Sequence, residues 1–267
     1  MKLEQMADEE MTRREMLFGA GKCALGAAGF TALASVVPGM VSNAHALGGT
    51  TEKWPWPYQK LDPATSAEIA YKEWYRVFCG AAVISSVFGQ LREKVGDPYK
   101  SFPIDGFIFL EGGMSGWGTV CGANAGANIV TNLIIGPRIS GTDDGMLMGS
   151  EIMQWYTTTA LPIYAPKDPK VKGDLPKTVS NSPLCHISVG KWMKAANKDL
   201  GSAERKDRCA RLTADVTAQL VTHLNEWKDG KYKTTGVIPA KGYGIPSQNN
   251  CNECHGSKVP SPPSAKK

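Results

Sequence analysis

The sequence predicts an all-α fold, and three observations carry that prediction. Apolar residues recur at helical spacing from Ser66 to Val95, through Ile69, Trp74, Val77, Phe78, Val83, Ile84, Val87, Phe88 and Leu91. Helix-start signals stand at Ser182-Pro183 and at Ser202. Strand signals are weak throughout, and there is no internal repeat. The C-terminal segment reads as mostly irregular, so the expected architecture is a helical domain with an irregular tail. The 267 residues are 42% hydrophobic and 21% charged, which excludes a disordered chain. Seven cysteines are too few for a small disulfide scaffold. The pI of about 8.7 is only mildly basic, and Lys and Arg are dispersed, which argues against nucleic-acid binding.

Residues 1–46 read as a cleaved export signal. Thr12-Arg13-Arg14-Glu15-Met16-Leu17-Phe18 is a twin-arginine pattern, a Gly/Ala-rich stretch follows to Val37, and Ala44-His45-Ala46 has the form of a cleavage site. A membrane anchor is the alternative, but Lys22 interrupts a weakly apolar run. No run of spanning length follows, so the mature chain is expected in the periplasm with no membrane span. It keeps Cys79, Cys121, Cys185, Cys209, Cys251 and Cys254, and His186, His223 and His255.

The helical domain is expected over residues 47–230. Ser66 to Val95 reads as one long helix with Cys79 near its middle. Gly112-Gly-Met-Ser-Gly-Trp-Gly118 is a glycine-rich loop whose backbone can approach closely and offer N–H groups to anionic sulfur. The alternative is a plain loop before a tight helix contact. Thr119 begins a helix of small residues, Cys121-Gly-Ala-Asn-Ala-Gly126. Residues 146–161 read as a helix closed by Pro162, and 163–181, rich in Pro and Lys, as an exposed loop. Ser182-Pro183 opens the next helix, with Cys185 in its first turn, where the macrodipole lowers a thiol pKa. Ser202 caps the last helix, with Glu204 near its start and Cys209 two turns in. Residues 231–267 form a tether, an attachment segment and a Pro/Ser/Lys tail read as disordered.

Cys251-x-x-Cys254-His255 is the attachment motif of haem c. Two thiols add across the haem vinyls, and the adjacent histidine reaches iron as proximal ligand. A thioredoxin-like Cys-x-x-Cys would follow a strand, whereas this one follows the turn-rich Gly242–Asn250. A zinc half-site would need a second Cys/His pair at short spacing. The other four cysteines could form two disulfides in an oxidising compartment. The export route argues for a metal centre, because the twin-arginine machinery moves folded proteins, often with a cofactor inserted, and haem c is attached only after export. Four thiolates can hold a [2Fe–2S] or [4Fe–4S] cluster, with ligands converging from separate helices; zinc would prefer ligands in close pairs.

The order Cys79 … Cys121-Gly-Ala-x-x-Gly126 … Cys185 … Cys209 resembles the family named for its Cys…GCAxxG…Cys…Cys pattern, although the second motif here reads Val-Cys-Gly-Ala. With the twin-arginine signal and the C-terminal motif, the whole mature part resembles the split-Soret cytochromes c. The resemblance implies a helical homodimer with one haem c and one iron–sulfur centre, a [2Fe–2S] cluster, per chain. It implies two haems packed together near the dimer interface, each with two histidine ligands, one from the partner chain. Only His186 and His223 are then left for the second axial position. His223 falls on a stripe with Val216, Leu220 and Trp227, the pattern of a core or interface histidine. His186 follows Cys185 and would set haem and cluster close together, which favours it. Met193 or Met153 would be the alternative ligand, with a higher potential.

Two functions follow from these readings. One is an electron carrier exchanging electrons with redox partner proteins. The other is a small-molecule (gas) sensor or oxidoreductase with an open axial site. No Ser/His/Asp set, phosphate loop or paired carboxylates point to hydrolytic work.

Overall fold

The computed structural model describes residues 53–234. The described residues hold five α-helices: α1 (Pro63–Lys94), α2 (Gly122–Ile134), α3 (Asp144–Thr158), α4 (Cys185–Ala196) and α5 (Ala203–Lys228). Strand pairing among them is confined to two isolated bridges, Val120 with Leu184 and Leu161 with Thr178. The fold is all-α, as expected. None of these helices is long and apolar enough to cross a membrane. The export signal and the haem-attachment motif lie outside the described residues.

Helix α1 starts three residues before its expected Ser66. Asp62 accepts from the Thr65 N–H at 2.7 Å and Pro63 takes the first helical position. It is not one straight rod. Phe78 has φ 59 and ψ −166, a region nearly closed to residues with a side chain. The two arms fold back on each other. The Ser86 hydroxyl donates to the Ser66 carbonyl at 2.7 Å, and the Ser85 hydroxyl to Glu73 at 2.7 Å. In a straight helix Ser66 and Ser86 would be about 30 Å apart. Cys79 therefore stands at the corner of a helical hairpin rather than inside a helix. The unbroken apolar spacing through Val77 and Phe78 hides this break.

Packing of α1 against α5 and α2, and of α2 against α3, builds the body. The main core joins Val83, Phe88 and Leu91 of α1 with Val130 of α2, Ile152 of α3 and Val216 and Leu220 of α5. The strap 54–61 closes one side, with Trp56 and Tyr58 buried and the Trp56 N–H donating to the Ile134 carbonyl at 2.8 Å. A second apolar cluster gathers Tyr71, Trp74, Val77, Cys79, Ala82, Val189, Cys209 and Ala210. It surrounds the hairpin corner.

The segment 163–181 is more than a solvated loop. Its lysines are exposed, but its backbone is tied down. Asp215 accepts from the Ile163 and Tyr164 N–H groups, both at 2.8 Å, Arg211 donates to the Val171 carbonyl at 2.8 Å, and the Trp192 indole donates to the Pro176 carbonyl at 2.8 Å. The helical domain also runs past its expected end at 230, because Tyr232 and Thr234 both bond Glu151 of α3.

Candidate metal centre

Each of the four scattered cysteines is delivered by a different element. Cys79 sits at the corner of α1, Cys121 at the N-cap of α2, Cys185 at the first position of α4, and Cys209 in the second turn of α5. Glycines set the approach of the first two. A Cβ on Gly122 would lie 2.0 Å from the Leu110 carbonyl oxygen and 2.9 Å from the Cys79 Cβ, and one on Gly126 would lie 2.5 Å from the Gly80 carbonyl oxygen. The small residues of Cys121-Gly-Ala-x-x-Gly126 thus allow backbone contact between α2 and the hairpin corner. Main-chain bonds bring in the third cysteine. Cys185 N–H donates to the Thr119 carbonyl at 2.7 Å, His186 N–H to Gly118 at 3.1 Å, and Cys121 N–H to Pro183 at 2.8 Å.

The expectation for the 112–118 loop changes. The N–H groups of Ser115, Gly116, Trp117 and Gly118 all bond carbonyls of residues 109–114. Those four donors are not aimed at sulfur; the loop acts as a turn and a wall. Nor does Ser182-Pro183 cap α4. The helix begins at Cys185 with no side-chain cap, and Ser182 instead accepts from the Leu184 N–H at 3.2 Å.

All four cysteines are free thiols, and three of them are buried. They lie close enough to repel one another when ionised. Burial pushes the Cys79 thiol well up, with further upward pushes from Cys121, Cys209 and Cys185. Burial also raises Cys121 and Cys185. The predicted lowering of Cys185 by the helix dipole is overturned: desolvation, then the charges of Cys121 and Cys209, outweigh it. A cation that neutralises the four thiolates would relieve both penalties, releasing the protons as it binds.

The surroundings also suit an anionic sulfur cluster. The Trp74 indole N–H donates to Cys79 Sγ at 3.3 Å. Arg208, 2% exposed, places Nη1 3.8 Å from Cys209 Sγ and Nη2 2.7 Å from the Ser188 hydroxyl. The Tyr156 hydroxyl, fully buried, is oriented by no hydrogen bond of good geometry, although it lies near Cys121. A cavity of about 700 Å³ opens onto Cys79, Cys185 and Cys209, walled by Trp74, Phe78 and His186 among others. Among the described residues, no three Cys, His, Asp or Glu side chains close around a point tightly enough for a single ion. Cys79, Cys185 and Cys209 thus line a space, with Cys121 close enough to Cys79 to raise its thiol, and such a set of four thiolates can hold a polynuclear group.

A model of redox-active proteins, C_GCAxxG_C_C, matches residues 78–223, a span that contains all four cysteines. The chain belongs to that family. It is 37% identical over 258 residues to the split-Soret cytochrome c of Desulfovibrio desulfuricans (strain ATCC 27774), covering 92% of this chain and 88% of that protein. The solved structure of that cytochrome, reported with a novel iron centre, aligns with a TM-score of 0.63 at 35% identity, over 82% of this chain and 91% of the other. The resemblance seen in the sequence is therefore shown, and the chain is a redox protein of the electron-transfer kind.

The two candidate histidines lie in different places. His186 is exposed at the cavity wall, against Gly118. His223 lies 14 residues beyond Cys209 on α5, about 21 Å along the axis. Val216 and Leu220 of its stripe are fully buried, but His223 sits at the rim, its Nε2 2.9 Å from Gln219 and its Nδ1 3.3 Å from Glu226, with the Tyr232 ring at 5.6 Å. Met193 lines the cavity, whereas Met153 lies on α3, away from it. Trp74, Tyr156 and Arg208 escape a reading of the sequence. The one available signal is that Asp207, Arg208, Arg211 and Asp215 share α5 with Cys209 at a density no purely apolar contact face needs.

Proposed function

We propose that the chain is a periplasmic electron carrier with two centres. Cys79, Cys121, Cys185 and Cys209 hold an iron–sulfur cluster of the [2Fe–2S] type, and Cys251 and Cys254 carry haem c with His255 as proximal ligand. The single observation that carries this reading is the convergence of four free thiols from four elements, three of them lining one cavity, beside a buried cation. The matching cytochrome's name and its reported iron centre support it. Each centre would accept and pass on one electron at a time. The residues of this chain place the sulfurs and supply positive charge and N–H groups to them. His186 is the favoured second axial ligand, since it lines the cavity, with His223 second. The assembly is a homodimer with its haems near the interface, reached by redox partner proteins, and residues 1–46 direct export. Electron paramagnetic resonance of the dithionite-reduced chain tests the cluster. A cluster signal that disappears in Cys79→Ser and Cys209→Ser, with the haem absorbance retained, supports the reading. A signal unchanged by both substitutions overturns it.

A further inference from the structure

Arg208 is buried in the body of the domain, and among the described residues no carboxylate forms an ion pair with it. It is 2% exposed. The ion pairs of the neighbouring acids go elsewhere: Asp207 takes Arg211 at 2.7 Å and the hydroxyls of Tyr71 and Tyr75 at 2.5 and 2.6 Å. Asp215 is occupied by the Ile163 and Tyr164 N–H groups. The guanidinium reaches only Ser188, through its carbonyl at 3.4 Å and its hydroxyl at 2.7 Å, and Cys209 Sγ at 3.8 Å, while its Nε has no partner. Guanidinium cannot shed its proton at physiological pH, so the charge stays. Leaving an ion unanswered in the interior costs several kcal/mol. The groups around it that can turn negative are Cys209, Tyr156 and Cys121, and Asp215, whose carboxyl feels the guanidinium without forming an ion pair with it.

We propose that Arg208 is the built-in counter-charge of the cysteine site and sets the reduction potential of the centre held there. The inference rests on the iron–sulfur reading given above. Four thiolates around a [2Fe–2S] core leave a net negative charge that grows by one on reduction. A fixed positive charge against one ligand sulfur favours the reduced state more than the oxidised one. Trp74 adds a neutral donor at another of the four sulfurs, Cys79 Sγ. Arg208 is thus a positioning residue: it touches a ligand, not the iron. In the metal-free chain the same charge is a liability, because no ion pair among the described residues neutralises it.

The test uses the full-length loaded chain with Arg208→Lys and Arg208→Met, read by a potentiometric titration of the cluster signal. Arg208→Met should lower the midpoint, reducing the reduced-to-oxidised ratio at fixed potential at least tenfold, which is 59 mV for one electron. Arg208→Lys should stay within about threefold of wild type, about 28 mV on the same constant. Thermal unfolding of the metal-free chains is read in parallel: Arg208→Met should melt no lower than wild type. An unchanged midpoint in Arg208→Met, or a metal-free Met variant that melts well below wild type or does not fold, makes Arg208 a structural residue and overturns the proposal. Absence of a cluster signal in the wild type strikes the parent reading instead, and is distinguished by that control.

Discussion

The sharpest structural test is an alanine at Gly122. Its Cβ would sit 2.0 Å from the Leu110 carbonyl oxygen, 2.9 Å from the Cys79 Cβ and 3.0 Å from the Leu110 carbonyl carbon. Ordinary contact is 3.4 Å or more, so the overlap with the oxygen exceeds an ångström. The obstructing atoms are mainly backbone, and no rotamer relieves them. Alanine would return about 1 kcal/mol of helix propensity, but overpacking a tight contact costs about 1–3 kcal/mol, and this clash belongs at or beyond the upper end. A net loss of about 2–3 kcal/mol is expected, a fall in Tm of roughly 5–10 °C for a domain of this size. Because the atom that must yield next is the Cys79 Cβ, iron binding should fall as well. Gly89 is the control. It lies in the second arm of α1, and a Cβ there meets nothing within 4 Å. Gly89→Ala should raise stability by about 0.5–1 kcal/mol and leave iron unchanged. Thermal melts and iron analysis on the three proteins decide it. A Gly122→Ala chain that melts like Gly89→Ala and keeps its iron refutes the role assigned to the motif glycines.

Other outcomes follow from single contacts. Trp74→Phe removes the indole N–H that reaches Cys79 Sγ and should lower the cluster midpoint without changing iron content, as read by potentiometry. Burial raises the Asp215 carboxyl to about 7, against the lowering by the Ile163 and Tyr164 N–H groups. The folded chain thus holds a proton that the unfolded chain has released. The resulting stabilisation is complete below about pH 4 and lost as pH rises through 7, by at most about 4 kcal/mol. Wild type should therefore lose stability relative to Asp215→Asn between pH 4.5 and 7.5 in denaturant melts; parallel curves would refute the assignment. Ser202→Ala removes the cap that accepts from the Arg205 N–H at 3.2 Å and should cost about 1 kcal/mol by the same assay. With two histidines on the haem iron, carbon monoxide should leave the ferrous spectrum unshifted; an immediate stoichiometric shift would favour the sensor reading.

Periodicity was enough to reveal the helices, while capping placed the start of α5 but not that of α4. Ser202 and Glu204 mark the start of α5 because a cap and a first-turn acid are local chemistry. The break at Phe78 is not local chemistry. Phenylalanine does not advertise a positive φ, and the apolar spacing runs across it because both arms are buried, the first in the cluster around Trp74 and the second in the main core around Phe88. The four cysteines could be grouped in advance from the export signal and the family resemblance; their spacings of 42, 64 and 24 residues suit no close-pair motif but leave two disulfides open. Their electrostatics could not. The dipole argument at Cys185 treats the helix as isolated, whereas burial and two neighbouring thiols decide the sign. Arg208 was invisible for the complementary reason. A charge on an amphipathic helix is ordinarily placed in water, and only the packing of α3, α4 and α5 around it shows otherwise. The strap 54–61 carries no period at all; it is held by bonds such as Tyr58 to Asn225 that no local pattern encodes.

The central claim is that the four converging thiols, three of them buried, hold iron and sulfide. Total iron, haem and acid-labile sulfide, measured on the chain produced with its own N-terminal segment, test it most directly. The account predicts labile sulfide and iron in excess of haem, both lost in Cys79→Ser while haem remains. Iron equal to haem, with no sulfide and four unmodified thiols or two disulfides, would contradict it.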